Sequence, residues 1–213
     1  MCFSAEASFS TGFLLSVIGV ASLSIAKPKH ILLALMPLLF ALQQISEGFL
    51  WLKMEGIISA DLGMVSQTIY MFFAYLFWPI WIPLAFWTAE DVTWKRGFIA
   101  LCLVAGILLT GFNLWGALGT ESEVRILGKH LQYLVTAPTI KFPYFIIVFV
   151  PILLSSLRGM WIFGLLAAGS YALASIYQPE VFASIWCFFA AIISSALLIL
   201  LWINRDTQIK QKN

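Results

Sequence analysis

The chain contains seven long apolar runs, which are separated by short polar segments. A helix needs about 20 mostly apolar residues to cross the hydrocarbon core of a bilayer. The runs lie at Phe9–Ala26, Ile31–Trp51, Val65–Trp87, Phe98–Trp115, Ile140–Ser156, Met160–Tyr177 and Val181–Trp202. They are continuous rather than alternating, which favours membrane helices over the strands of a membrane barrel. The sequence therefore predicts one all-α domain of seven transmembrane helices over residues 1–213, with six spans and one interfacial segment as the alternative.

The composition excludes an ordinary soluble fold. Hydrophobic residues make up 62% of the 213 residues and charged residues only 10%, whereas soluble domains carry about 25% charged residues. The lipid bilayer is therefore the expected partner, and a small molecule or a lipid is the expected kind of ligand. The formal net charge of +2 gives no reason to expect a nucleic-acid partner.

Lysine and arginine are distributed unequally between the two ends of the predicted spans. One end would carry Lys27, Lys29, Lys95, Arg96, Arg158, Arg205, Lys210 and Lys212, and the other Lys53, Arg125, Lys129 and Lys141. Because cytoplasmic loops are enriched in basic residues, we expect the first end and the C-terminus to be cytoplasmic. With seven spans, the N-terminus then lies outside.

The longest loop, residues 116–139, is predicted to contain a short amphipathic helix between spans 4 and 5. Its segment Thr120-Glu121-Ser122-Glu123 matches a capping box. After it, Leu127, His130, Leu131 and Leu134 fall on one face at helical spacing. On this interpretation the helix lies on the outer surface and directs His130 toward the bundle.

Glu47 is the one carboxylate placed well inside a predicted span. Charged side chains in the bilayer are costly and usually functional. Gln43 and Gln44 lie one turn before Glu47, and Gly48 beside it permits close approach of another helix. We regard Glu47 as a candidate catalytic residue; the alternative is a carboxylate that only joins helices.

Several reactive side chains share the predicted outer layer with Glu47. Cys2, His130 and Cys187 are the ones able to bind a metal, and thiolate, imidazole and carboxylate are the usual zinc ligands. We expect a site formed by Cys2, Glu47, His130 and Cys187, with zinc as the first candidate and copper(I) as a second. Gln43, Gln44, Asn113 and Tyr171 would line the surrounding pocket. The two thiols could instead be inert or form a disulfide.

The opening Met-Cys-Phe-Ser-Ala resembles a family of small bacterial multi-span membrane proteins of unknown function. Other shared features are Gln43-Gln44 with Glu47-Gly48 and Trp51, Trp78-Pro79 with Pro83, residues 130–133, and residues 186–191. The resemblance covers nearly the whole chain. It implies a multi-pass protein of the bacterial inner membrane and brings no activity with it.

Three classes of function remain open on the sequence. A metal-dependent hydrolase or hydratase at the outer face would use Glu47 as a ligand or general base. Seven-span zinc hydrolases have a similar layout, but they use several histidines, and this chain has two. A sensor or transporter without turnover could use a third span broken by Pro79 and Pro83. A subunit of a membrane complex could use the small-residue faces for helix contacts.

Overall fold

A computed structural model describes residues 4–117, 122–128, 130–135, 141–177 and 179–206 as a helical bundle with one β-hairpin. The helices are α1 (Ala5–Ile25), α2 (Ile31–Ala34), α3 (Met36–Met54), α4 (Ala60–Met71), α5 (Trp78–Ala89), α6 (Thr93–Ala117), α7 (Lys141–Leu154), α8 (Met160–Tyr177), α9 (Phe182–Ser194) and α10 (Ala196–Asp206). Short 3₁₀ turns lie at Pro28–His30 and Pro179–Val181, and a π-helix lies at Phe72–Phe77. The Ser4 hydroxyl caps α1 by accepting from the Ala7 amide.

Within the part of the chain that the structure describes, six helical stretches are long and apolar enough to cross a membrane. They are Ala5–Ile25, Pro28–Met54, Ala60–Ala89, Thr93–Ala117, Met160–Tyr177 and Phe182–Arg205. This confirms the prediction of a helical bundle and makes the chain a multi-pass membrane protein. The fifth predicted span corresponds to a shorter apolar helix, Phe142–Leu154. That helix belongs to the core of the bundle, because Val148, Phe149 and Ile152 are buried among its neighbours.

The predicted amphipathic helix between spans 4 and 5 is wrong, because this segment forms a β-hairpin. Strand β1 (Ser122–Leu127) pairs antiparallel with β2 (His130–Val135), and Leu127 lies opposite His130. Gly128 in the turn has φ 61°, a left-handed conformation that glycine adopts without steric cost. Apolar and polar residues alternate over residues 123–126 and 130–133, so period 2 describes these stretches better than the helical spacing. The side chains of Leu131 and Tyr133 face the bundle and are buried.

Prolines disturb the third span without interrupting it. Pro79 has no amide hydrogen to donate to the carbonyl of Tyr75 four residues earlier, and the π-helix lies just before it. Neighbouring helices supply donors to three successive carbonyls in this stretch. The Tyr144 hydroxyl donates to Ala74 at 3.2 Å, the Asn113 amide to Tyr75 at 3.2 Å, and the Thr110 hydroxyl to Leu76 at 2.9 Å. These carbonyls therefore hold α6 and α7 against the third span.

Pro83 likewise cannot donate to the carbonyl of Pro79, and Gly106 of α6 packs directly on that carbonyl. A Cβ atom built on Gly106 would lie 1.9 Å from the Pro79 oxygen. Only a glycine permits this approach, because any larger side chain would overlap the backbone. The contact fixes α6 across the point where the third span lacks its own hydrogen bonds.

Candidate site around Glu47

The carboxylate of Glu47 is fully buried on the inner face of α3, near the hairpin end of the bundle. Its Oε1 atom accepts a hydrogen bond of 2.7 Å from the Ser184 hydroxyl of α9. The same atom accepts one of 3.3 Å from the Tyr133 hydroxyl of β2. Gly48 beside it leaves room for the Phe9 ring of α1, which a Cβ at position 48 would meet at 2.8 Å. Glu47 thus joins two helices and the hairpin.

Gln43 lies one turn before Glu47 and forms a second set of hydrogen bonds. The two neighbouring sets are together called the Glu47 network. Its Oε1 accepts from the Trp78 indole at 3.0 Å, and its Nε2 donates to the Cys187 sulfur at 3.1 Å. The Trp78 indole can only donate, so it fixes which end of the Gln43 amide faces the cysteine. On α9, Ser184 and Cys187 are also about one turn apart. The pair on α3 therefore faces the pair on α9, and all four side chains are buried.

Two stacked tyrosine rings connect this network to the hairpin. The rings of Tyr70 and Tyr133 are 4.5 Å apart and nearly parallel, at 7°. The Tyr70 hydroxyl donates to the Ala183 carbonyl at the start of α9, at 3.1 Å. The Tyr133 side chain therefore contacts both Tyr70, through its ring, and Glu47, through its hydroxyl. Leu131 on the same strand is buried as well.

The structure brings some of the predicted site residues together and separates others. Gln43 bonds Cys187, and Glu47 lies one turn further along α3 in the neighbouring set of hydrogen bonds. Gln44 is also fully buried on α3. Cys2 lies outside the described residues.

Two predicted pocket residues instead serve helix packing. Asn113 bonds the backbone of Tyr75. Tyr171 belongs to an aromatic cluster, in which its ring centroid lies 4.9 Å from Phe182 and 5.4 Å from Trp186. Both side chains are thus placed at contacts between helices.

The β-hairpin directs the His130 side chain differently from the predicted helix. A helix would have directed its imidazole toward the bundle with Leu131 and Leu134. Side chains alternate along a strand, so His130 lies on the opposite face of β2 from Leu131 and Tyr133. It is half-buried. Tyr133, three residues further on, is the hairpin residue whose side chain reaches Glu47.

Three important members of the network were not predicted from the sequence. Ser184, Tyr133 and Trp78 provide hydrogen-bond donors to Glu47 and Gln43. Trp78 and Tyr133 lie in stretches that the family resemblance had already marked, and Ser184 lies about one turn from Cys187. The sequence did not indicate which partners these three donors would find.

Among the described residues, no group of three or more His, Cys, Asp and Glu side chains is placed to hold a metal ion. Cys187 and Glu47 both lie in the Glu47 network, and both are residue types that bind zinc. The described part of the site therefore offers a buried thiol, a buried carboxylate and hydroxyl groups.

The titration of His130 tests its position in the hairpin. Burial lowers the pKa of His130 below its ordinary value, which is about 6.5. As the pH falls below about 6.5, the unfolded chain binds a proton at this imidazole before the folded chain does. The stability of the hairpin therefore decreases until the pH reaches the lowered pKa of His130. We expect an NMR titration of the imidazole to show a midpoint below 6.5. A midpoint at or above 6.5 would contradict the half-buried placement, and a His130→Gln variant identifies the signal.

The whole sequence matches one family description. The family of unknown function DUF6629 matches residues 1–213. The chain belongs to this family. This confirms the resemblance to an uncharacterised family, and no curated protein and no solved structure matches the sequence.

Proposed function

We propose that this DUF6629 protein binds a metal ion at the Glu47 network, in the outer half of a cell-membrane bundle. The observation that carries the proposal is that Glu47 and Cys187 are both buried on facing helices, with Cys187 bonded by Gln43 and Glu47 bonded by Ser184. An ionisable group kept inside a membrane bundle usually serves function. Zinc accepts thiolate and carboxylate ligands, and copper(I) prefers the thiolate.

Cys2 and His130 are the further ligands in this proposal. Cys2 precedes α1, whose Phe9 side chain already packs beside Glu47 at Gly48. His130 begins the strand that carries Tyr133 over the carboxylate. His130 therefore belongs to a strand that contacts the network, and Cys2 lies three residues before the start of α1 in the sequence. The distribution of basic residues supports an external N-terminus and a site on the outer side.

A bound zinc ion would support hydrolysis or hydration of a small molecule or lipid at this face. Zinc lowers the pKa of a bound water so that it can attack at neutral pH. Glu47 would act as a ligand or a general base. The Tyr133 and Ser184 hydroxyls, which now donate to Glu47, would orient the carboxylate.

The competing function for Glu47 is purely structural. Its hydrogen bonds to Ser184 and Tyr133 connect α3, α9 and the hairpin, and such contacts alone can hold helices together in lipid. A structural carboxylate and a metal-binding carboxylate respond differently to added metal.

A thermal-stability titration separates the two functions. We expect zinc or copper(I) to stabilise chelator-treated protein in detergent by about 2.7 kcal/mol at one hundred times the dissociation constant. Glu47→Gln and Cys187→Ser should abolish this response. The glutamine keeps an oxygen acceptor for Ser184 and Tyr133, so the fold should survive the loss of charge.

Cys102→Ser is the matched control, because this half-buried cysteine lies on α6 and should leave the response unchanged. Equal stabilisation of all variants would show that the metal binds elsewhere. If neither metal stabilises the parent protein, the metal-binding function is wrong.

A further inference from the structure

The end of the bundle opposite the hairpin contains a polar cavity of about 210 Å³. It is formed where α1, α5, α7 and α10 end or are followed by loops. Its lining includes the basic residues Lys27, Lys29 and Arg158, the acidic residues Glu90 and Asp91, and His30. The cavity is far larger than one water molecule, which occupies about 30 Å³ in the liquid.

The residues that line the cavity carry a net positive charge. The Asp91 carboxylate forms an ion pair with Lys29. The two oxygens of Glu90 accept from the amides of Val92 and Ser156, at 2.9 and 2.8 Å. Both acidic groups are therefore engaged, and the three basic residues of the lining outnumber the two acidic ones. The site suits an anion.

His30 gives an independent sign of a ligand. It lines the cavity, its side chain is only 4% exposed, and its Nε2 atom is buried without a hydrogen-bond partner among the described residues. A buried polar atom without a partner costs free energy. A ligand with oxygen atoms in this cavity would offer the imidazole a partner.

An apolar groove lies beside the cavity on the lipid-facing surface. It has a volume of about 490 Å³ and lies between Ala21, Ser24 and Ile25 of α1 and Leu198, Ile199 and Trp202 of α10. Lys27 follows Ile25 by two positions, and Asn204 follows Trp202 by two positions. Both Lys27 and Asn204 line the cavity. The Lys27 ammonium donates to the Asn204 carbonyl at 3.2 Å and so joins the two segments there. An apolar chain in the groove would thus lead directly to the cationic cavity.

Asn204 also fixes the loop that carries Arg158. The Arg158 amide donates to the Asn204 side-chain oxygen at 2.9 Å, and the Asn204 side-chain amide donates to the Arg158 carbonyl at 3.1 Å. The backbone of Arg158 is held in place while its side chain stays exposed. The guanidinium can therefore contact an anion at the cavity mouth, and a guanidinium can bind phosphate through two hydrogen bonds.

We propose that this end of the bundle is a binding site for an anionic phospholipid. One acyl chain occupies the groove between α1 and α10, and the phosphate occupies the cavity lined by Lys27, His30 and Arg158. Basic pockets at the ends of membrane helices recognise anionic headgroups in this way. The site is separate from the Glu47 network and does not depend on its function.

Native mass spectrometry of the delipidated protein tests the proposal. Dioleoylphosphatidylglycerol and dioleoylphosphatidylcholine have the same acyl chains and differ in headgroup charge. We expect the first lipid binding event to favour phosphatidylglycerol, and Arg158→Gln and Lys27→Gln each to reduce that preference about fivefold. Arg205→Gln is the matched control, since this exposed residue lies on α10 and does not line the cavity; it should retain the preference.

A variant that fills the groove tests the acyl-chain site, and competition by inorganic phosphate tests whether the site needs the whole lipid. Ser24→Trp should block the groove and weaken phosphatidylglycerol binding, and inorganic phosphate alone should not displace the lipid. Equal binding of the two lipids would overturn the proposal. So would an unchanged preference in Arg158→Gln, which is exposed and should fold normally. Displacement of the lipid by inorganic phosphate would show a site for the free anion instead.

Discussion

Replacing Gly106 with alanine is expected to destabilise the bundle by about 3 kcal/mol or more. The added Cβ would lie 1.9 Å from the Pro79 oxygen and 2.8 Å from the Pro79 carbonyl carbon. Overpacking of a tight contact typically costs 1–3 kcal/mol, and here the obstacle is backbone, which cannot rotate away. Helix α6 would have to move off the third span. Unfolding in mixed micelles with increasing SDS measures the loss of stability.

Gly111→Ala on the same helix is the matched control for Gly106→Ala. Nothing lies within 4 Å of a Cβ atom at position 111, and alanine favours the helix by up to about 1 kcal/mol. The control should therefore be as stable as the parent protein or slightly more stable. If Gly106→Ala behaves like Gly111→Ala, α6 does not pack on the Pro79 carbonyl as described.

Truncation of Trp78 to alanine is expected to cost about 3 kcal/mol. The side chain is fully buried, stacks on Phe40 with ring centroids 4.0 Å apart, and bonds Gln43. Tryptophan-to-alanine changes in cores cost about 3–5 kcal/mol. We expect a cost at the lower end of this range. Lipid is as apolar as the core, so only packing and the hydrogen bond are lost.

Trp78→Phe separates the loss of the hydrogen bond from the loss of packing, and Trp161→Ala is the surface control. Phenylalanine keeps most of the packing but removes the donor to Gln43, which should cost about 1 kcal/mol. Trp161 is exposed on the surface of α8, and its truncation should change stability by about 0.5 kcal/mol at most. If Trp78→Ala and Trp161→Ala had equal effects, the placement of Trp78 in the core would be wrong.

The spans could be predicted from sequence because lipid imposes a simple rule. Backbone groups must be satisfied within each segment, so long apolar runs become helices. The fifth run illustrates the limit of that rule, since α7 is short but its buried residues pack within the bundle. Length alone does not show which helices a segment will contact.

The hairpin could not be distinguished from a helix by apolar spacing alone. Leu127, Leu131 and Leu134 fit a helical face, whereas the strand pairs Ile126 with Leu131 and Val124 with Tyr133. Gly128 is the residue that marks the turn, through its left-handed conformation. The choice between the two structures depends on β2 packing against the bundle, which is a long-range contact.

Part of the candidate site could be predicted from the sequence, because charged side chains are rare within membrane spans. Glu47 and its neighbour Gln43 were identified in this way, and both belong to the buried network. Ser184 and Tyr133 were missed because a hydroxyl gains its role only from the partner that folding supplies. These donors are 137 and 86 residues away from Glu47 in sequence.

The metal content of the purified protein is the most direct test of the proposed function. Elemental mass spectrometry would be applied to protein prepared without chelator, beside Glu47→Gln, Cys187→Ser and the Cys102→Ser control. We predict near-stoichiometric zinc or copper in the parent protein and the control, and its loss in both site variants. A folded parent protein without bound metal would contradict the proposed site and leave Glu47 as a structural link between α3, α9 and the hairpin.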